Sequence, residues 1–216
     1  MEQLQKHTME IQALHALAEE MTDILDLGEA VNLVNKYLWE IADFSASLFV
    51  LYVPTAQTFQ VRAYLKESVG GRFLQEMQKQ GFQSLVAKAK PEVAKQARAA
   101  ATKTKKPLLF GVPQNPKGKS TPGSFYVEHI TIGKSVMGAL VIASEKKGLY
   151  QNENDLDVVR AMVSIASVAA SRIEELLKTQ RSGTESFVQS LSNGVIMFDE
   201  NMRVVLANPA ATKFTG

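Results

Sequence analysis

The chain has no cysteine. That excludes a disulfide framework, a thiolate nucleophile and any zinc site built on thiolates, and it fits a reducing compartment; a cytoplasmic location is expected. Histidine is scarce, with only His7, His15 and His129. No two of them stand at the i, i+4 spacing of a helical metal site, so no metal is expected. No long apolar run occurs. The longest clean one, Val136 to Ala143, falls far short of the roughly 18 residues a membrane span needs. The opening Met1-Glu2-Gln3-Leu4-Gln5-Lys6 lacks the apolar core of a signal peptide. Nucleotide-binding glycine patterns are missing too. Lys117-Gly118-Lys119-Ser120 echoes the end of a phosphate-binding loop, but Thr121-Pro122 opposes the helix that must follow. No Ser-His-acid arrangement is defensible from spacing, so no catalytic residue is assigned and the chain is read as non-enzymatic.

What is present is helical periodicity at both ends and strand patterns between. Leu4, His7, Ile11, Leu14, Ala18, Met21 and Leu25 alternate three and four steps over residues 2–26. A second amphipathic helix is predicted over 29–42. Leu48 to Val53 and Thr58 to Leu65 read as a hairpin about Pro54-Thr55-Ala56-Gln57. Helices are predicted at 72–79 and 82–88, divided at Gly81, and from Pro91 to about 101. Residues 106–110 suggest an edge strand, because Pro107 cannot sit inside a ladder. Asn115 to Gly123 is a loop, and 124–132 with 135–144 forms a second hairpin about Gly133-Lys134. From Asn152 to Gln180 there is neither Gly nor Pro. Leu156, Val159, Val163, Ala166, Ala170, Ile173 and Leu177 trace the seam of a coiled coil over about three heptads.

Charge is unevenly spread. Nine of the 24 Lys and Arg residues lie between Leu85 and Lys119, against one acid, Glu92. This stretch reads as a solvated helix and loop. Nucleic acid is not expected, because aromatic residues for base stacking are absent between Leu85 and Leu109.

The expected fold class is α+β in α/β/α layers, with an antiparallel sheet of five or six strands and helices on both faces. In this order of elements the chain resembles a GAF domain, a small-molecule-sensing module of signalling proteins, over roughly residues 8–180. The resemblance rests on the two-helix opening, the first hairpin, Thr131-Ile132-Gly133-Lys134-Ser135-Val136-Met137-Gly138-Ala139-Leu140-Val141-Ile142, and Tyr150-Gln151-Asn152-Glu153-Asn154-Asp155-Leu156. Glu128-His129 departs from it, standing where many members carry an apolar residue and Pro. Residues 190–216 resemble the start of a PAS domain, through Asn193-Gly194-Val195-Ile196-Met197-Phe198-Asp199 and Arg203-Val204-Val205-Leu206-Ala207-Asn208-Pro209-Ala210-Ala211. The expected domains are 1–180, a linker at 181–189, and an incomplete module at 190–216.

The resemblance implies a cytoplasmic sensory input module, as in sensor histidine kinases, and a homodimer with an unidentified small-molecule ligand and a PAS or kinase module downstream. The same module also serves cyclic-dinucleotide enzymes and transcription regulators, and a ligand-independent dimerisation scaffold is the rival reading. A covalent bilin is excluded for want of Cys. A haem would need His129 as its ligand, and none is expected. The pocket is expected between the sheet and the middle helices, lined by Phe49, Leu51, Tyr64, Phe82, Val86, Phe110, Tyr126, Glu128 and Met137. The dimer helices are expected to use Leu4, Ile11, Leu14, Met21, Leu156, Val159, Val163, Ala166, Ala170, Ile173 and Leu177.

Overall fold

The computed structural model describes residues 2–102, 106–152, 156–199 and 202–215; residues 2–4, 180, 181, 183–185, 214 and 215 are described by their backbone alone. The chain divides into two compact units, Met1–Ser171 and Arg172–Gly216.

The first unit is α+β. Helices α1 (Glu2–Met21) and α2 (Leu27–Ile41) precede strands β1 (Ala46–Val53) and β2 (Thr58–Leu65). Helices α3 (Gly71–Lys88) and α4 (Pro91–Ala101) lead to the short strand β3 (Leu108–Gly111), the hairpin β4 (Ser124–Ile132) and β5 (Ser135–Ser144), and the helix α5 (Asp157–Ser190). The five strands form one sheet in the order β3-β2-β1-β5-β4. Three of the four pairings are antiparallel, but β3 runs parallel to β2. The wholly antiparallel expectation is corrected there. The α3–α4 crossover returns the chain to the same end of the sheet, which a tight hairpin cannot do.

Both faces of the sheet are covered, as expected. Side chains of β1 alternate between them. Phe49 and Leu51 join Leu17, Leu38, Leu140, Val159 and Met162 under α1, α2 and α5. Leu48, Val50 and Tyr52 join Phe73, Met77, Phe82, Leu85 and Ala97 under α3 and α4. β1 is buried on both sides, which explains its nearly continuous apolar sequence.

Five local expectations change. Gly81 does not break α3, because it is where the helix touches the sheet: a Cβ there would stand 3.1 Å from Val50 Cγ2 and 3.2 Å from Val141 Cγ2. α1 stops at Met21, where Thr22 Oγ1 donates to Glu19 O at 2.7 Å, and α2 begins at the Asp26 cap, whose carboxylate accepts from Glu29 N at 3.0 Å. The buried stripe of α1 is Ala13, Leu17 and Met21 with Leu14 partly covered, whereas Ile11 is 67% exposed; the side chain of Leu4 lies outside the described residues. Leu156, just before α5, and Val159, Val163, Ala166, Ala170 and Ile173 within it are all buried. Val159, Val163 and Ala166 belong to the domain's own core, which removes them from any dimer seam. Of the seven seam residues, Leu177 is exposed, at 60%. The same helix continues to Ser190, through the residues expected to be linker.

The second unit contains the end of α5, the antiparallel hairpin β6 (Ile196–Phe198) with β7 (Val204–Ala207), and α6 (Pro209–Thr215). Asn208 organises it. Its side-chain amide donates to the carbonyls of Val188, Leu191 and Asn193 at 3.2, 3.0 and 2.8 Å, and its Oδ1 accepts from Val195 N and Ala211 N, each at 2.9 Å.

Candidate functional site

The sheet's alternation decides which of the nine expected pocket residues meet. Phe49, Leu51, Tyr64 and Tyr126 lie on the α1/α2/α5 face. Glu128 joins them, since its carboxylate accepts from the Tyr126 hydroxyl. Phe82, Val86 and Met137 lie on the opposite face, against α3 and α4. Phe110 stands at the sheet edge, stacked on Tyr64 with ring centroids 4.8 Å apart and planes 16° apart. The nine therefore do not line one cavity, because a pleated sheet separates them. Sequence periodicity shows that neighbours in a strand face opposite ways, but not which parity faces which helix layer.

On the α5 side, a polar cluster lies at the β4 edge. Arg160 Nε donates to Tyr126 Oη at 3.1 Å, and Arg160 Nη1 is 2.9 Å from Asp157 Oδ1. Burial, followed by the hydrogen bond to Glu128, pushes the Tyr126 phenol up to about 12. Tyr126 is thus a neutral donor in the ordinary pH range, holding Glu128 against the sheet. Along the same face, Tyr64 donates to Asn32 Oδ1, and its ring meets Phe49 edge to face at 5.8 Å. Burial raises the Tyr64 phenol as well. These side chains are satisfied by one another, which suits a self-filled core.

On the α3 side, His129 Nε2 shares a 2.7 Å hydrogen bond with Ser84 Oγ. This is the geometry of a hydroxyl beside a base. Among the described residues, however, no carboxylate is bound at Nδ1, the third member that orients such a base. Glu128, adjacent in sequence, presents its carboxylate to the other face. Desolvation holds the imidazole below its ordinary pKa of 6.5; Glu128 acts against this and Lys88 with it. The unfolded chain therefore takes up the proton first as pH falls, and stability contributed by neutral His129 is lost below about pH 6.5. Urea unfolding of wild type and His129→Gln between pH 8 and pH 5 checks this. The wild type is expected to show a steeper loss on acidification, and parallel curves would refute the assignment.

A cavity of about 260 Å³ opens at another place, under the first turns of α1. Glu10, Ile41, Asp43, Tyr150, Leu156 and Val159 are among the residues lining it, and none of the nine expected residues does. Tyr150 Oη donates to Asp43 O at 3.0 Å, while Lys146 Nζ pairs with Asp43 Oδ2 at 2.8 Å. Burial, with Asp43 and Glu67 nearby, pushes the Tyr150 phenol far up. Periodicity does not reveal this cavity, because it lies where four segments distant in sequence converge. Among the described residues, no group of three His, Asp or Glu is placed to hold a metal ion, and no helix is long and apolar enough to cross a membrane.

No protein-family model matches the chain, and no curated protein matches it. Solved structures do. One is the GAF domain of an Acinetobacter phosphoenolpyruvate-protein phosphotransferase, at 14% identity and a TM-score of 0.47, covering 77% of this chain and 95% of that one. Another is residues 122 to 287 of a methyl-accepting chemotaxis protein, at 16% identity and a TM-score of 0.44, covering 74% and 98%. A third is the A. aeolicus nlh2 GAF domain in an inactive state, at 13% identity and a TM-score of 0.40, covering 76% and 96%.

Proposed function

We propose that the chain is a GAF-type sensory input module of a signal-transduction protein, followed by a PAS-like segment. The observation that carries this reading is α5. Its N-terminal half is built into the core of the first unit through Val159, Met162, Val163 and Ala166, and the same helix ends at Ser190, shortly before β6. A change in the sheet's helical layer thereby has a covalent, helical route onward. The proposed mechanism is a population shift. A small ligand, or a change in dimer packing, biases the position of α1 and α5 and so the state of the module that follows. A sensor histidine kinase is the proposed parent; a cyclic-dinucleotide enzyme or a transcription regulator would use the same input.

In this reading the dimer contact falls on uncovered apolar side chains of α5, Leu176 and Leu177, exposed at 44% and 60%. Sedimentation velocity tests it. The wild type is expected to be dimeric, and Leu177→Glu monomeric with unchanged circular dichroism. A wild-type chain that stays monomeric at high concentration removes the proposed mechanism. The ligand half is tested separately by thermal shift against nucleotides, cyclic nucleotides and amino acids, since bound ligand raises apparent stability. A flat response across the panel favours the ligand-independent scaffold. A helix break is best placed at exposed Lys178, because a proline at Ala166 disrupts the core itself.

A further inference from the structure

We propose that the outer edge of β3 is a docking site for an extended acidic peptide with alternating aliphatic side chains, which adds to the sheet beside β3. β3 ends the sheet, with β2 on its inner side, and among the described residues no strand pairs with its outer side. Its register places Leu108 opposite Arg62 and Phe110 opposite Tyr64, and Val112 N donates to Leu65 O at 3.0 Å. In a parallel ladder alternate residues bond to the same neighbour, so Leu108, Phe110 and Val112 turn their backbone groups inward. The N–H and C=O of Leu109 then point outward. Pro107 and Pro113 bracket the strand, as befits an edge segment.

The side chains along this edge are apolar and uncovered, with Leu108 57%, Leu109 44% and Phe110 40% exposed. Leu108 and Phe110 stand on one face and Leu109 on the other, so an added strand has aliphatic contacts on both faces. The surroundings supply the sign of the partner. Lys106 stands two residues before β3, Lys117 and Lys119 follow it, and α4, which packs on β2, carries exposed Lys95 and Arg98. The one acid between Leu85 and Lys119 is Glu92.

Edges of this kind are templates for strand addition, and natural proteins blunt them when they are not used. A second copy of the chain would bring two basic segments together. A lipid surface presents no N–H and C=O groups at the spacing of a β-ladder. An acidic peptide in β conformation satisfies backbone, apolar contact and charge at once. This inference stands apart from what the domain senses.

The test is fluorescence anisotropy of the full chain with a labelled peptide of alternating Glu or Asp and Val. Saturable binding that weakens as salt rises is expected. Leu109→Glu and Lys106→Glu should each weaken it by about tenfold, and the peptide should protect the Leu109 amide from hydrogen exchange. The same peptide N-methylated, in two versions covering each alternate set of residues, loses the donors that face β3 in one of them, and that version is expected to bind at least tenfold more weakly. Equal binding by both methylated versions, or by a peptide with Lys in place of the acids, overturns the proposal. So does tighter binding to phosphatidylglycerol vesicles or single-stranded DNA than to the peptide. Self-association of the chain that Leu109→Glu abolishes, without peptide binding, assigns the edge to a second copy instead.

Discussion

Asn208→Ala is expected to unfold the second unit while leaving the first intact. The Asn208 side chain is fully buried and serves five backbone groups at once: three carbonyls around the end of α5 and two amides at the starts of β6 and α6. Alanine leaves these groups without that partner. A hydrogen bond contributes about 0.5–1.5 kcal/mol net, so losing this set costs a few kcal/mol. A segment the size of residues 172–216 has only a few kcal/mol to lose, at about 0.05–0.15 kcal/mol per residue. Hydrogen exchange followed residue by residue should show the amides of Val195 and Ala211 fully labile, with those of β1 and β5 unchanged. Asn208→Asp should not rescue the unit, because it keeps the acceptor but turns a carboxylate toward three carbonyl oxygens. Retained protection at Val195 in the alanine variant would mean that the hairpin is held by something other than this side chain.

Gly138→Val is expected to be the most damaging single change in the first unit. Gly138 lies in β5 between β1 and β4, opposite Leu51 and Ile130. A Cβ there would stand 2.8 Å from the carbonyl oxygen of Val50 and 2.8 Å from Leu51 Cδ2. The leucine tip can turn aside, but the carbonyl is part of the central strand and cannot move without parting β1 from β5. Overpacking against rigid neighbours costs about 1–3 kcal/mol and more where backbone must shift, so a loss of about 3 kcal/mol or more is expected from urea unfolding. A loss below about 1 kcal/mol would show that the central strands give way more easily than a paired sheet allows. The site lies beside an irregularity: Ile130 pairs with Gly138 but Thr131 with Val136, which leaves Met137 as an extra residue in β5. The bulge brings Val136 as well as Met137 to the α3/α4 face.

The strength of each local signal determined how legible each region was. The strands from Leu48 to Leu65 and from Ser124 to Ser144 could be placed because β-branched runs bounded by turn residues define them without reference to anything distant. Gly81 misled, because a glycine that breaks a helix in isolation is tolerated where the helix must approach a sheet closely. The three-four spacing of α5 was real, but periodicity records only that one face is apolar. It cannot distinguish a face turned to a partner helix from one turned to the domain's own sheet.

The sequence by itself determined the order and type of elements, the layered α+β class, the basic middle segment, and the absence of thiol chemistry, since each depends on composition or on residues within a few positions of one another. The tertiary structure alone decided the rest. It divided the expected pocket residues between two faces of the sheet and chose the α5 side for Glu128 and the α3 side for His129. It drew Val159, Val163 and Ala166 into the first core, and left Leu109 with its backbone turned outward at an open edge. These are outcomes of pairing direction, register and face. They are fixed by which distant segments bury the most apolar surface together, and no local pattern carries that information.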